Sequence, residues 1–209
     1  MIRFRSLTLL LIAGLSLQAS SLDAKGPKRP PEGPLITIHA PHPERLEFAL
    51  DEIGLDWGGH PGASERVPAQ SVALVAGTRL LATEGGTLAL VGFPRVARPE
   101  DLSPIATALE AANPGAEAHL VLYVPSHPKS KASRGLLTRQ VGLILEQGAD
   151  PGSVTAGLAV VSIRRASVSG GYVLDAENPL AALSLADLLR QRSGVKIAYP
   201  MVRRFVFHR

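Results

Sequence analysis

Alternation of apolar and polar positions is clearest in the last third of the chain. Arg139–Glu146 (RQVGLILE) places Val141, Leu143 and Leu145 at every second residue, which predicts a strand. Asp150-Pro151 predicts a short helix running to about Ala156, because an aspartate N-cap takes up a free amide and the following proline presets φ. Ala159–Arg164 (AVVSIR) predicts a second strand, Ser169-Gly170-Gly171 a turn, and Tyr172–Ala176 a third strand. Asn178-Pro179 opens a helix in which Ala181, Leu185, Leu188 and Leu189 share one face. Gly194 supplies its left-handed stop, and Val195–Val202 predicts the last strand. The order over 139–202 is β-α-β-β-α-β. That is the split βαβ, ferredoxin-like arrangement of an α+β fold, with four antiparallel strands and both helices on one face. Residues 203–209 follow as a tail.

The first half reads as an irregular copy of the same order. Leu35–His39 predicts a strand, and Pro43–Ile53 a helix with Leu46, Leu50 and Ile53 on one face. Residues 54–69 are rich in glycine and proline and predict a loop. Strands are predicted at Ser71–Ala76, Arg79–Thr83 and Leu88–Phe93, with Gly85-Gly86 as a hairpin turn. Ser103-Pro104 predicts a helix start, Asn113-Pro114-Gly115 its stop, and Glu117–Val124 a strand. ALEAANPGAEAHLVLYV resembles LLRQRSGVKIAYPMV, about 80 residues further on, as internal repeats do. Residues 35–124 are thus expected to form a first α+β subdomain. Residues 125–138 (PSHPKSKASRGLLT) are expected to be a polar basic connection, and 139–202 the second unit.

Composition then narrows the class. Residues 1–24 carry Arg3 and Arg5, an apolar stretch from Leu7 to Leu17 and small residues to Ala24, the pattern of a secretory signal peptide. Residues 25–34 (KGPKRPPEGP) read as a disordered linker. The expected location is therefore extracellular or periplasmic. The chain has no cysteine, so disulfides, thiolate metal sites and cysteine nucleophiles are excluded. Acidic residues outnumber basic ones in 25–124, whereas basic residues outnumber acidic ones more than two to one in 125–209. The basic residues are scattered among few aromatics, which favours a partner protein over nucleic acid. Nothing after the signal reads as a membrane span.

Candidate chemistry is sparse. His39 and His42 have ligand-like spacing, but Pro41 and Pro43 flank them and no carboxylates complete a shell. His60, His119, His127 and His208 are isolated. No Gly-x-Ser-x-Gly elbow occurs and no Ser/His/Asp set stands in a recognisable context. Glu44, Glu47, Asp51 and Glu52 read as the solvated face of the first helix. Trp57 reads as a loop pinned to the core or an exposed binding residue. The expectation is a non-catalytic chain with no cofactor and no metal.

RQVGLILEQGADPGSV and SGGYVLDAENPLAALSLADLLRQRSGVKIAYPMVRR together resemble the pro-region of bacterial subtilisin-like serine proteases, the subtilases. The resemblance covers about residues 139–209. It implies a ferredoxin-like module whose sheet packs on a protease and whose C-terminal strand lies in the substrate cleft. Such a module acts as intramolecular chaperone and transient inhibitor. Carried onto this chain, Tyr199, Pro200, Met201, Val202, Arg203 and Arg204 would bind the cleft, with Arg203-Arg204 a processing site. The catalytic regions of that family have no counterpart here. The chain is then expected to be a free-standing pro-region-like inhibitor, or the truncated front part of a serine protease precursor. The alternative is a secreted binding module with an unrelated partner.

Overall fold

The computed structural model describes residues 31–39, 43–58, 77–85 and 87–204. The predicted signal peptide, most of the linker, the predicted strand 71–76 and residues 205–209 lie outside them. The order is β1 (Leu35–Ile38), β2 (Glu44–Asp56), β3 (Arg79–Glu84), β4 (Leu88–Gly92), α1 (Leu102–Ala112), β5 (Glu117–Tyr123) and β6 (Arg134–Leu145). It continues with α2 (Pro151–Thr155), β7 (Ser162–Arg165), β8 (Gly171–Asp175), α3 (Pro179–Arg190) and β9 (Val195–Arg204). All nine strands belong to one antiparallel sheet, and the chain is a mixed α/β protein with few helices.

In the second half the strand order is β9-β6-β8-β7. In the first half β5-β2-β4-β3 follow the same order. Ile53-Gly54-Leu55 on β2 and Val141-Gly142-Leu143 on β6 hold matching places. Gly54 faces His119 and Leu90, and Gly142 faces Tyr199 and Val173. Gly115 and Gly194, with φ of +85° and +81°, turn the chain from α1 into β5 and from α3 into β9.

Predicted elements of the second half recur with shifted ends. Asp150 caps α2, its carboxylate accepting from the Ser153 amide at 2.7 Å. Asn178 caps α3, accepting from Ala181 at 2.9 Å. Ala182, Leu185, Ala186 and Leu189 of α3 pack with Val141, Leu143 and Leu174, so this core lies on the helix side of the sheet. The second strand begins later than predicted, at Ser162.

The first half differs more. The predicted helix Pro43–Ile53 is strand β2, which continues to Asp56 through the start of the predicted loop. Its residues favour helix by propensity, but partners on both edges win: β1 and β4 on one, β5 on the other. A bulge between Phe48 and Ile53 explains the helix-like spacing. It leaves Leu46, Phe48, Ile53 and Leu55 in one cluster with Leu102 and Leu109 of α1. The helix predicted from Ser103 begins at Leu102, after a 3-10 turn at Pro99–Asp101. The strand predicted from Arg139 begins at Arg134, within the predicted connection. Leu120–Tyr123 of β5 pair with Arg134–Leu137 of β6, so the sheet runs from one half into the other.

β1 is held by a buried carboxylate. Glu47 is 2 % exposed, and its Oε1 accepts from the amides of Glu32 at 2.6 Å and Gly33 at 3.1 Å. Glu47→Ala strands those amides and is expected to cost about 1–3 kcal/mol in urea unfolding. It should also speed amide exchange over Leu35–Ile38, with Glu47→Gln retaining most of both. Unchanged exchange in Glu47→Ala would show that β1 is held by other means.

Candidate functional site

The residues expected to bind a protease cleft, Tyr199 to Arg204, are the second part of β9. Pro200 pairs with Val141, Val202 with Leu137, Arg203 with Leu136 and Arg204 with Gly135. Side chains alternate across the sheet. Val202 packs on the core that contains Phe48 and Leu137. Tyr199, Met201 and Arg203 therefore face the side without helices. The Tyr199 ring lies against Gly142, where an added Cβ would come within 2.5 Å of it.

The helix-free face differs between the two halves. In the first, Leu88, Leu90, Val121 and Leu136 are at most 2 % exposed. In the second, Ile144, Val173, Ile197, Tyr199 and Met201 are only half-buried. Exposed Arg164 stands at the β7 border of this face, ion-paired to Asp175 at 3.3 Å. An apolar strip of this kind, on one side of an antiparallel sheet, can dock a flat apolar partner.

Arg203 and Arg204 are both engaged. Arg203 donates to the carboxylate of Asp56, and Arg204 donates to Glu44, so the end of β9 is tied to both ends of β2. Asp56 is 5 % exposed, and His119 Nε2 lies 3.9 Å from its Oδ2. His119 itself is buried, and its Nδ1 has no hydrogen-bond partner. Burial holds its pKa below the ordinary 6.5, against the opposing pull of Glu117 and Glu110.

A second polar cluster lies further along the same face. The Tyr123 hydroxyl donates to Glu52 at 2.7 Å, and Arg134 donates to Glu84 at 2.7 Å and to the Tyr123 oxygen at 3.4 Å. Lys129 reaches Asp51 at 3.1 Å and Glu52 at 3.4 Å, with its ammonium 5.7 Å from the Tyr123 ring centre. Burial raises the Tyr123 pKa, so the phenol stays protonated. Desolvation opposes the Lys129 charge, but the hydrogen bond to Asp51 and the charges of Glu52, Asp51 and Glu32 outweigh it and raise its pKa. Tyr123 is thus a neutral phenol and Lys129 a charged ammonium, and Lys129 joins the turn after β5 to the acidic residues of β2.

Glu44, Glu47, Asp51 and Glu52, expected on a solvated helix face, lie instead on β2. Glu47 and Glu52 are buried, Asp51 is half-buried and Glu44 is exposed. His119, expected to be isolated, sits beside Asp56. His127 Nδ1 lies 3.1 Å from the Pro125 carbonyl, exposed. Trp57 is buried against the core with Phe93 and Leu109. His39 is exposed, and His42, His60 and His208 lie outside the described residues. Among the described residues, no three His, Asp or Glu side chains converge to hold a metal. Sequence spacing gave no sign of the Glu52–Tyr123–Arg134 cluster, whose members are brought together only by the pairing of β2, β5 and β6.

No family model, curated protein or solved structure matches the chain.

Because the folded-state pKa of His119 is lowered, the unfolded chain binds the extra proton first. The stability it contributes is complete above the unfolded pKa and is lost as pH falls through about 6.5 toward the lower folded value. Urea unfolding at pH 7.5 and 5.5 should show a loss in the wild type that His119→Gln reduces. An equal loss in both would place the pH sensitivity elsewhere.

Proposed function

We propose that the protein is a secreted, non-catalytic binding protein of the subtilase pro-region type, a folding aid and inhibitor of a subtilisin-like serine protease. In this reading each half is a ferredoxin-like split βαβ unit, the first with its opening helix missing between β2 and β3 among the described residues. The strand orders β9-β6-β8-β7 and β5-β2-β4-β3 support it. The single observation that carries the proposal is the half-buried apolar face of the second unit, from Val173 through Ile144 to Tyr199. It suits packing on the helices of a protease.

β9 then divides its residues between two tasks. Tyr199 and Met201 belong to the docking face. Pro200, Val202 and the ion-paired Arg203 and Arg204 belong to the fold. In this reading Tyr199–Arg204 reaches the cleft only where β9 parts from β6. Arg203-Arg204 serves as a processing site only where the β6–β9 ladder opens, because proteases bind an extended chain through its own backbone.

The ion pairs of Arg203 and Arg204 also favour a second reading, a self-contained binding module with an unrelated partner. The two separate in one assay. The purified protein is titrated into a subtilisin-like protease while peptide hydrolysis is followed, beside Val173→Lys and a form lacking residues 205–209. Removal of 199–209 would destroy β9 and is uninformative. Tight inhibition is expected, weakened roughly tenfold or more by Val173→Lys, as for a charge placed in an interface centre. Loss of 205–209 should reduce inhibition while direct binding persists. Absence of inhibition by the intact protein would sink the protease reading in favour of the module. Turnover of peptide by the protein alone would sink its non-catalytic part.

A further inference from the structure

The outer edge of β1 is an open strand template. The Phe48 amide donates to the Pro34 carbonyl at 3.0 Å, and Ile36 and Ile38 pair with Leu46 and Glu44. In an antiparallel ladder hydrogen-bonded pairs alternate, so Ile36 and Ile38 turn their backbone groups toward β2. Leu35 and Thr37 turn theirs away. Among the described residues nothing bonds to those outward groups. The Glu47 carboxylate fixes the approach to this strand, so the edge is preformed.

A groove of about 600 Å³ lies beside β1 on the helix side of the sheet. Ile36 and Phe48 line one side, Leu180, Leu183 and Ser184 of α3 the other. Past Ile36 and Leu183 it continues into a recess of about 450 Å³ that ends at Pro200.

The second half shows what such an edge takes. β1 lies on the first part of β2 as β5 lies on the first part of β6. The other edge of β5 carries an extended antiparallel strand, β2. The matching edge of β1 carries none among the described residues. Of the other edges, β9 and β7 are poorer templates, and β3, which also ends the sheet, exposes Leu80 and Leu81 with no anchored approach of this kind among the described residues. Pro200 lacks an amide on β9, and Arg190 of α3 takes the Ala198 carbonyl at 3.3 Å. β7 carries Arg164 and Arg165, both exposed, which discourage edge pairing.

We propose that β1 binds an extended peptide segment of another protein, antiparallel to it, with apolar side chains at alternate positions lying in the groove between β1 and α3. Backbone pairing with Leu35 and Thr37 supplies the affinity and the groove selects the side chains. This surface is separate from the face assigned to protease docking.

The probe is a capped eight-residue synthetic peptide alternating valine with threonine and lysine. Its control is the same peptide with proline at two central positions. Binding to the full chain is followed by backbone amide shifts and hydrogen exchange. Slowed exchange at Leu35 and Thr37 is expected with the first peptide and not with the control. Thr37→Pro deletes one outward amide and leaves the β1–β2 bonds in place, so it should weaken binding roughly tenfold. Ser184→Arg fills the exposed groove wall without touching β1 and should do the same, which keeps the test valid if Thr37→Pro unfolds. Equal binding by wild type and both folded variants would overturn the proposal, as would protection at β3 or β7 instead. Concentration-dependent dimerisation that protects Leu35 and Thr37 without peptide would make the occupant a second copy and overturn it as well.

Discussion

Four residue pairs between β5 and β6 make one sheet of what would otherwise be two. Leu120–Tyr123 against Arg134–Leu137 require β6 to extend well beyond the span its own half uses. One edge of β6 is then shared, β5 on its first part and β8 on its second. β2 is organised in the same way, with β1 and β4. Each long strand is offset against its full-length neighbour at mid-strand, between Phe48 and Ile53 and between Leu137 and Val141. A straight strand the length of β2 would reach about 40 Å. Adjacent arginines on β9 nevertheless contact Glu44 at one end of β2 and Asp56 at the other. Two neighbouring side chains cannot bridge that distance, so β2 must be bent and shortened at its bulge and the sheet curled to bring the end of β9 near both its ends.

Curling of the sheet around β2 accounts for the buried charge. Glu52, Tyr123 and Arg134 lie on a face where most neighbours are fully covered, and ionised groups there are tolerated only when paired. Each has a partner within hydrogen-bond reach: Tyr123 on Glu52, Arg134 on Glu84, Lys129 on Asp51. Replacing buried ion pairs with apolar residues often leaves stability unchanged, whereas removing one partner leaves an uncompensated buried charge. Arg134 of β6 touches Glu84 of β3 and Tyr123 of β5, so one guanidinium links three strands. The second half carries no comparable cluster on its helix-free face, and its apolar residues there remain half-buried.

These differences set what could be read from the sequence. The second half was legible because its signals are local: Asp150-Pro151 and Asn178-Pro179 are caps, Gly194 is a stop, and Val141, Leu143 and Leu145 alternate. β2 was not. Leu46, Leu50 and Ile53 do stand at helical spacing, and Glu, Leu and Ala favour helix. What makes β2 a strand is the set of edges offered by β1, β4 and β5, all distant in sequence. Arg134 misled for the same reason, since an arginine after a run of serine and lysine reads as loop until Glu84 is known to lie beside it. The apolar face of the second half was implicit in the pattern, because Ile144 and Tyr199 alternate with core residues. That no helix among the described residues covers it is a tertiary fact.

An exposed strand edge invites unwanted pairing, and the manner in which each edge is blunted separates structure from function. β9 is closed by Pro200 and by the Arg190 guanidinium. β7 is short and ends in two arginines. β1 is different. It has no proline within the strand and no charge, the approach to it is anchored by Glu47, and an apolar groove lies beside its Ile36 side chain. β3 also ends the sheet with Leu80 and Leu81 exposed, but β1 is the edge whose approach is fixed by a buried carboxylate and beside which a groove lies, which is what suits it to pairing. The same logic applies to the helix-free face of the second half, where Gly142 leaves room for Tyr199 to lie flat rather than project. Flatness there costs side-chain packing within the chain, and it is the feature on which the proposed docking rests.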